Sequence, residues 1–316
     1  MKRLKQAVGA LLRWIPARRA PAQPGRFALR QKSSVHGFIS VAPAPPWREY
    51  LLYLPRGMER LTRPPLVVCI HGCRQDPEAF AAGSRIARFA DERGFVVLLP
   101  RQNRLANSQR CWNWFDRRTA RGLGEAAIVA AQATDVLERF GLDDKRVYVA
   151  GLSSGGALAA ALALHAPGLV RAVAIHSGLP CGVANDAADA ARVMAEGPRG
   201  DVLLDTRGRV PALILHGKDD QTVAPVNALY LARQFLSFNG GEPPADALLP
   251  QPGILPLPWR ASGADGDYYV GRRLAARLLT IPGLAHAWSG GDPAQAFFAA
   301  GGPDATRLVC DFFAAH

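Results

Sequence analysis

Residues 146–156 read RVYVAGLSSGG and place a strand, a tight turn and a helix in immediate succession. Residues 147–150 form an apolar strand pattern, and an alanine-rich helix pattern begins near Ser154. Between them lies the motif G-x-S-x-G, whose glycines let so sharp a turn present a serine hydroxyl. The segment therefore predicts a nucleophile elbow with Ser153 at its apex. The alternative is an ordinary glycine-rich turn whose serine caps the helix.

The alternation of strands and helices continues on both sides of this segment. Strand patterns cover residues 36–41, 48–54, 66–70, 95–99, 146–150, 171–175, 212–215 and 278–281. Helix patterns cover residues 77–92, 124–140, 154–165, 227–238 and 304–314. Several strands are apolar throughout, which is typical of strands covered on both faces. The pattern predicts an α/β fold with a mostly parallel sheet, helices on both faces, and long loops at 197–209 and 240–266.

Positive charge is concentrated at the amino-terminal end of this 316-residue chain. The formal net charge is +12, and the first 48 residues carry ten Lys or Arg and no acid, which leaves only +2 for the other 268. We therefore predict a flexible basic extension at 1–35 and one catalytic domain at 36–316. Because the body is nearly neutral, the charge does not indicate nucleic-acid binding.

The extension carries a short amphipathic helix pattern. Its apolar residues share one helical face and are Leu4, Val8, Leu11, Leu12 and Ile15. Such a helix either stays solvated or adsorbs to an anionic or apolar surface such as a membrane or a polymer granule. Arg13 and Pro16 interrupt the apolar run that a secretory signal peptide needs. The expected location is therefore cytoplasmic, and secretion is disfavoured.

A serine nucleophile needs a histidine base and a carboxylate that orients it, in the chain order serine, acid, histidine. His286 follows the last strand pattern in the small-residue loop GLAHAWSGG and is the predicted base, the alternative being a surface histidine. The strand pattern 212–215 runs into Asp219 and Asp220. Adjacent residues point in different directions, so we favour Asp220 as the acid and expect Asp219 to be solvated or to cap the turn.

An oxyanion needs two N–H donors, one from the residue after the nucleophile and one from the loop after an early strand. This requirement assigns the backbone N–H groups of Ser154 and Cys73. The Cys73 side chain is then free to form a disulfide with Cys111, the alternative being two buried thiols. The five cysteines include no CxxC pair and no zinc-like spacing with histidine, so no metal is predicted.

Three tryptophans lie in loops predicted to meet at the same sheet edge. Trp112 and Trp114 belong to the string CWNWF, and Trp288 lies two residues after His286. They are candidates for an apolar pocket that binds substrate. The alternative is that they only pack the loops together.

Four strings of the sequence carry a family resemblance: HGC (71–73), CWNWF (111–115), RVYVAGLSSGG (146–156) and AHAWSGG (285–291). Through them residues 36–315 resemble the poly(3-hydroxybutyrate) depolymerase family of esterases. These enzymes are relatives of feruloyl and acetylxylan esterases. The resemblance implies an α/β-hydrolase fold, a triad of Ser153, Asp220 and His286, and no cofactor. The family more often has Thr where Arg74 stands and Tyr where Cys181 stands, so the rim of the pocket differs.

These features predict a serine carboxylic-ester hydrolase. Its expected substrate is poly(3-hydroxybutyrate) or an ester of 3-hydroxyalkanoate oligomers, and the alternative is a feruloyl or acetylated carbohydrate ester. A second alternative is a homologue that binds a polymer or surface without turnover. The complete triad in the expected order speaks against that second alternative.

Overall fold

The computed structural model describes residues 26–34, 47–200, 207–241 and 265–316. Within these ranges, nine strands form one sheet and seven α-helices accompany it. The strands are β1 (Arg26–Ser34), β2 (Trp47–Leu54), β3 (Leu66–Ile70), β4 (Val96–Pro100), β5 (Val147–Leu152), β6 (Ala172–His176), β7 (Ala212–Gly217), β8 (Asp265–Val270) and β9 (Arg273–Ile281). The helices are α1 (Pro77–Ser84), α2 (Ile86–Arg93), α3 (Gly124–Phe140), α4 (Ser154–His165), α5 (Ala187–Glu196), α6 (Val226–Phe238) and α7 (Ala305–Ala314).

The strands follow the order β1-β2-β4-β3-β5-β6-β7-β9-β8 across the sheet. Six strands that are neighbours in the sheet pair in parallel, in the order β4, β3, β5, β6, β7 and β9. The strands β1 and β2 on one side and β8 on the other join as antiparallel strands. Parallel strands all present their carboxyl ends at one edge, where sites of open α/β sheets form. The predicted α/β class with a mostly parallel sheet is confirmed.

Strand β3 shows why the central strands are apolar throughout. Leu66, Val68 and Ile70 belong to a core shared with α3, α4 and α6, whereas Val67 and Cys69 belong to a second core shared with α1, α2 and α7. All five side chains are buried. A strand covered on both faces has no solvent side on which a polar residue is favoured.

The helix predicted at 77–92 is two helices. α1 ends at Ser84, α2 begins at Ile86, and Arg85 between them has φ 55°, a left-handed conformation that ends a right-handed helix. The end of α1 is closely packed against Phe298, since a Cβ at Gly83 would overlap the ring of that residue. A contact of this kind, with a residue more than 200 positions away, leaves no trace in the helical periodicity.

The structure places a strand inside the segment 1–35 that we predicted as a flexible extension. β1 pairs antiparallel with β2 and supplies hydrogen-bonding partners to the backbone of that strand. The predicted amphipathic helix and the predicted extended segment 36–41 lie outside the described residues.

Further differences concern the second half of the chain. α5, capped by the side chain of Asp186, was not predicted, and β9 begins five residues before the expected strand 278–281 because it pairs with β8. Parts of the predicted long loops, 201–206 and 242–264, lie outside the described residues. No helix in the described ranges combines the length and the apolar character needed to cross a membrane.

The loops that follow β7 and β9 are fastened to each other at the carboxyl edge. The N–H of Lys218 donates to the carbonyl of Ile281 at 2.9 Å, and that of Asp219 donates to the carbonyl of Leu284 at 3.0 Å. A Cβ at Gly217 would overlap the carbonyl oxygen of Leu284. The close approach of the two loops therefore requires glycine at this position.

We expect Gly217→Ala to lower the free energy of unfolding by about 1–3 kcal/mol, because the added methyl group overlaps backbone rather than a flexible side chain. The control is Gly168→Ala, where the new Cβ meets open space and the expected change stays within about 1 kcal/mol. Urea denaturation of both variants measures the effect. Equal stabilities for the two variants would contradict the proposed role of Gly217.

Candidate active site

Ser153 occupies the sharp turn between β5 and α4. Its backbone has φ 57° and ψ −121°, a combination rarely populated by residues with a side chain. The N–H of Ser153 donates to the carbonyl of His176 at 2.9 Å, and its carbonyl accepts from the N–H of Ala157 at 3.0 Å. The surrounding backbone thus holds the serine in its strained conformation, with 9% of its surface exposed.

The two outer glycines of the motif G-x-S-x-G are required by close backbone contacts. A Cβ at Gly151 would overlap the carbonyl of Gly155, and a Cβ at Gly155 would overlap the carbonyl oxygens of Ile70 and His71. The first contact closes the turn, and the second lets α4 start against the end of β3. The structure therefore contains the close backbone contacts that make glycine necessary on both sides of this turn, as the sequence motif indicated.

Asp220 and His286 are hydrogen-bonded to each other, with Nδ1 of the imidazole 2.7 Å from Oδ2 of the carboxylate. The other carboxylate oxygen accepts the N–H groups of Thr222 at 2.9 Å and Val223 at 2.8 Å. Asp220 is buried, whereas Asp219 is exposed. Of the two adjacent carboxylates, the structure brings Asp220 to the histidine.

Asp220 stays ionised despite its burial. Burial by itself raises the pKa of this carboxyl, but hydrogen bonds from His216 and His286, the charge of His286 and the amide of Val223 outweigh it and hold the pKa well below its usual range. An ionised carboxylate favours the tautomer of His286 that carries its proton on Nδ1. The other ring nitrogen, Nε2, is then the basic atom.

Two more histidines are fully buried beside this pair. Nε2 of His216 lies 2.9 Å from the carbonyl oxygen of Val223, to which it donates, and 3.4 Å from Oδ2 of Asp220. Nε2 of His176 accepts the N–H of Ser289 at 3.4 Å, and its ring stacks on Trp288. From the sequence, His176 comes too early in the chain to follow an acid and be the base, and His216 is interpreted as structural. Sequence reasoning missed the position of both beside Asp220.

Two backbone N–H groups near Ser153 are free to bind an anion. In the part of the chain that the structure describes, neither the N–H of Cys73 nor that of Ser154 has an internal acceptor. The neighbours of Cys73 are engaged, since the N–H of Gly72 donates to Oε1 of Gln75 at 2.8 Å and that of Arg74 donates to the carbonyl of Gln109 at 2.7 Å. The N–H of Cys73 therefore lies free between two engaged amides in the loop after β3.

A disulfide joins Cys73 to Cys111 across 38 positions of sequence. The hydroxyl of Ser154 donates to Sγ of Cys73 at 3.4 Å and accepts the N–H of Trp112 at 3.3 Å. The start of α4 is therefore tied to both halves of the bridge. Among the described residues, the other cysteines are buried free thiols, and no group of three or more His, Cys, Asp or Glu forms a metal site.

Sequence reasoning also missed a buried carboxylate, Glu125, that holds the CWNWF segment. Its Oε1 accepts Nε2 of Gln102 at 2.6 Å and Nδ2 of Asn113 at 3.0 Å, and lies 3.4 Å from Nη2 of Arg48. Its Oε2 accepts the N–H of Asn113 at 2.7 Å. The one available signal was a glutamate at the start of the helix pattern 124–140, a position that acidic residues also favour on exposed helices.

The structure argues against the predicted contact of Trp112 and Trp288 with substrate. Trp112 is 0% exposed and its Nε1 donates to the carbonyl of His71 at 3.0 Å, whereas Trp288 is 2% exposed and its Nε1 donates to Oγ1 of Thr306 at 3.0 Å. Trp114 is 5% exposed and packs edge-on against Phe115. All three indoles pack the loops together, which is the alternative to substrate binding that the sequence left open for them.

The strand order, the parallel pairing and the turn at Ser153 define an α/β-hydrolase fold. A solved structure with this fold, an acetyl xylan esterase from Aspergillus awamori, superposes with a TM-score of 0.63 at 20% identity, over 82% of this chain and 94% of that one. Residues 48–247 match the family model described as esterase PHB depolymerase. The chain belongs to this esterase family, as its sequence motifs suggested.

Curated relatives include a depolymerase and a feruloyl esterase. Poly(3-hydroxyalkanoate) depolymerase C of Paucimonas lemoignei is 32% identical over 200 residues, which is 60% of this chain and 48% of the relative. Feruloyl esterase B of Thermothelomyces thermophilus is 28% identical over 209 residues, which is 60% of this chain and 70% of the relative. The match thus spans about half the length of the depolymerase.

Two buried histidines make the stability of the fold sensitive to acid. Burial lowers the pKa of His71 to about 4, against a smaller opposing effect of its hydrogen bond to Gly72. Burial also lowers the pKa of His176 to about 3, with the charges of His216 and His286 acting in the same direction. Both imidazoles are therefore neutral in the folded protein at pH values where the unfolded chain protonates them.

We expect the free energy of unfolding to fall as the pH drops from 6.5 towards 4, by up to about 1.4 kcal/mol per pH unit for each of these histidines. The sign follows because the unfolded state binds more protons in this range. The glutamine amide of His71→Gln does not titrate. In this variant the slope of the free energy of unfolding against pH should therefore decrease by the contribution of one histidine. Urea denaturation at pH 7, 6 and 5 measures this slope. An unchanged slope in the variant would show that His71 does not contribute to the pH dependence of stability.

Proposed function

We propose that the protein is a serine carboxylic-ester hydrolase that works through an acyl-enzyme on Ser153. The observation that carries the proposal is the hydrogen bond of 2.7 Å between His286 and the buried carboxylate of Asp220. His286 follows β9 and Ser153 follows β5, so both come after the carboxyl ends of parallel strands in the same sheet. With Asp220 bound at Nδ1, Nε2 of the imidazole is the atom that takes the proton of the serine hydroxyl.

The reaction follows from these roles. Oγ of Ser153 attacks the ester carbonyl, and the N–H groups of Cys73 and Ser154 donate to the oxyanion that develops. His286 then gives its proton to the departing alcohol, and a water molecule activated by the same imidazole releases the acid. The scheme uses only groups of the chain and calls for no cofactor.

We propose esters of 3-hydroxyalkanoate oligomers or polymers as the substrates, on the basis of the family and of the depolymerase relative. The second candidate is a feruloyl or acetylated carbohydrate ester, and it is favoured by the greater share of its length over which feruloyl esterase B matches this chain. Adsorption to a polymer granule through the amphipathic pattern at 1–15 and a cytoplasmic location stay predictions from the sequence.

We expect Ser153→Ala to lower kcat/KM on a short-chain p-nitrophenyl ester and on a 3-hydroxybutyrate oligomer by at least about a thousand-fold, because the nucleophile is removed. A fluorophosphonate probe should label the wild type at Ser153 and leave the variant unlabelled. The control is Ser108→Ala, which removes an exposed hydroxyl from a loop. Retained turnover or labelling in Ser153→Ala would exclude Ser153 as the nucleophile, and a wild type inert on both esters would favour a binding protein.

The pair Asp220→Asn and Asp219→Asn tests the acid. We expect Asp220→Asn to lower kcat by about a thousand-fold or more, because an amide no longer stabilises the imidazolium or its required tautomer. Asp219 is exposed, so Asp219→Asn should stay within about twofold of the wild type. Steady-state kinetics on the same p-nitrophenyl ester separates the two, and similar losses in both variants would disprove the assignment.

A further inference from the structure

An exposed arginine, Arg74, stands beside the proposed oxyanion donor Cys73. Its backbone has φ 61°, and its N–H is bonded to the carbonyl of Gln109. The guanidinium lies over the ring of Phe297, with Cζ 5.0 Å from the ring centroid. Backbone and side chain together hold the positive charge at a defined place on the rim of the site.

The two sides of this contact are braced against each other by a buried amide. Oε1 of Gln75 accepts the N–H of Gly72, and Nε2 of Gln75 donates to the carbonyl of Ala296, both at 2.8 Å. Gln75 is 2% exposed. The loop that carries Arg74 and the loop that carries Phe297 therefore keep a constant spacing.

Arg74 differs from neighbouring arginines in its charge environment. Arg101 pairs with Glu78, and Arg110 pairs with Asp76 at 2.9 Å. Across the ranges that the structure describes, Arg74 forms no ion pair. Its charge is therefore available to an anion that approaches the site from solvent.

The position of Phe297 indicates which part of an ester Arg74 would meet. Its ring packs edge-on against His286, with 6.2 Å between the ring centroids. The alcohol half of an ester must reach His286, because the imidazole protonates it as it leaves. Phe297 and the guanidinium above it thus border the side from which the alcohol departs.

We propose that Arg74 binds a carboxylate on the alcohol half of the substrate, so that the preferred esters are 3-hydroxyalkanoate oligomers cleaved at the linkage next to their free carboxyl end. The inference rests on the proposed function and narrows its substrate class. In such an oligomer the leaving group is a 3-hydroxy acid, whose carboxyl carbon is joined through one CH₂ to the carbon bearing the departing oxygen. A guanidinium matches a carboxylate with two parallel N–H bonds, and a neutral sugar leaving group offers no such partner.

The bond changes are those of ester cleavage. Oγ of Ser153 forms a bond to the acyl carbon, the bond from that carbon to the alkyl oxygen breaks, and the serine proton passes through His286 to the departing 3-hydroxyl. The carboxylate keeps its charge and stays on Arg74 until the product leaves. Arg74 is thus a substrate-binding residue, and its contribution depends on the charge of the substrate.

The test compares 3-hydroxybutyryl-3-hydroxybutyrate with the same dimer whose carboxylate is converted to a primary amide. We expect wild-type kcat/KM to be at least about tenfold higher for the acid, the factor that one charge-assisted hydrogen bond supplies. In Arg74→Gln this preference should shrink to about twofold or less. Arg60→Gln removes the same charge from the 3₁₀-helix Met58–Arg60 before β3, where the side chain is 86% exposed, and should keep the preference.

The outcomes separate the inference from the proposed function. Hydrolysis of both dimers with no preference for the acid, or a preference that survives Arg74→Gln, overturns the role of Arg74 and leaves the esterase intact. A wild type that hydrolyses neither the dimers nor a p-nitrophenyl ester overturns the proposed function and the inference with it. Because each variant is judged by a ratio between two substrates, partial unfolding does not imitate the expected result.

Discussion

The close approach of α4 to β3 at the turn after β5 is the contact on which the rest of the site depends. It exists because Gly155 has no Cβ to meet the carbonyl oxygens of Ile70 and His71. The approach brings the start of α4 against the loop after β3, so that the free N–H groups of Ser154 and Cys73 lie at the same edge of the sheet. The disulfide to Cys111 and the hydroxyl of Ser154 then tie the surrounding loops to this point.

A second close approach brings Asp220 and His286, the proposed acid and base, together. Gly217 lets the loop after β7 contact the loop after β9, and Asp220 and His286 meet across that contact. The carboxylate remains charged inside the protein because imidazole and amide donors surround it. His176 lies neutral and buried beside this pair, and its lowered pKa links the geometry of the site to the predicted acid sensitivity of the fold.

Much of this arrangement could be predicted from the order of residues along the chain. The apolar run of β3 and the turn at Ser153 depend on neighbours a few positions apart, and Asp220 and His286 follow strands whose carboxyl ends share an edge. The break at Arg85, the four hydrogen bonds to Glu125 and the pairing of β1 with β2 involve partners that lie outside the local segment, from 12 positions away upwards. Local periodicity carries no information about such partners.

The sequence by itself determined the α/β architecture, the turn that presents Ser153, the histidine at 286 and the pair of carboxylates at 219 and 220. Only the tertiary structure decided that Asp220 is the carboxylate bound to the histidine, and that Trp288, two residues beyond it, is buried against His176 and Thr306. The physical reason is that strand, helix and turn patterns come from local sterics and periodic burial. The contacts of one side chain depend on which distant segments the fold packs around it.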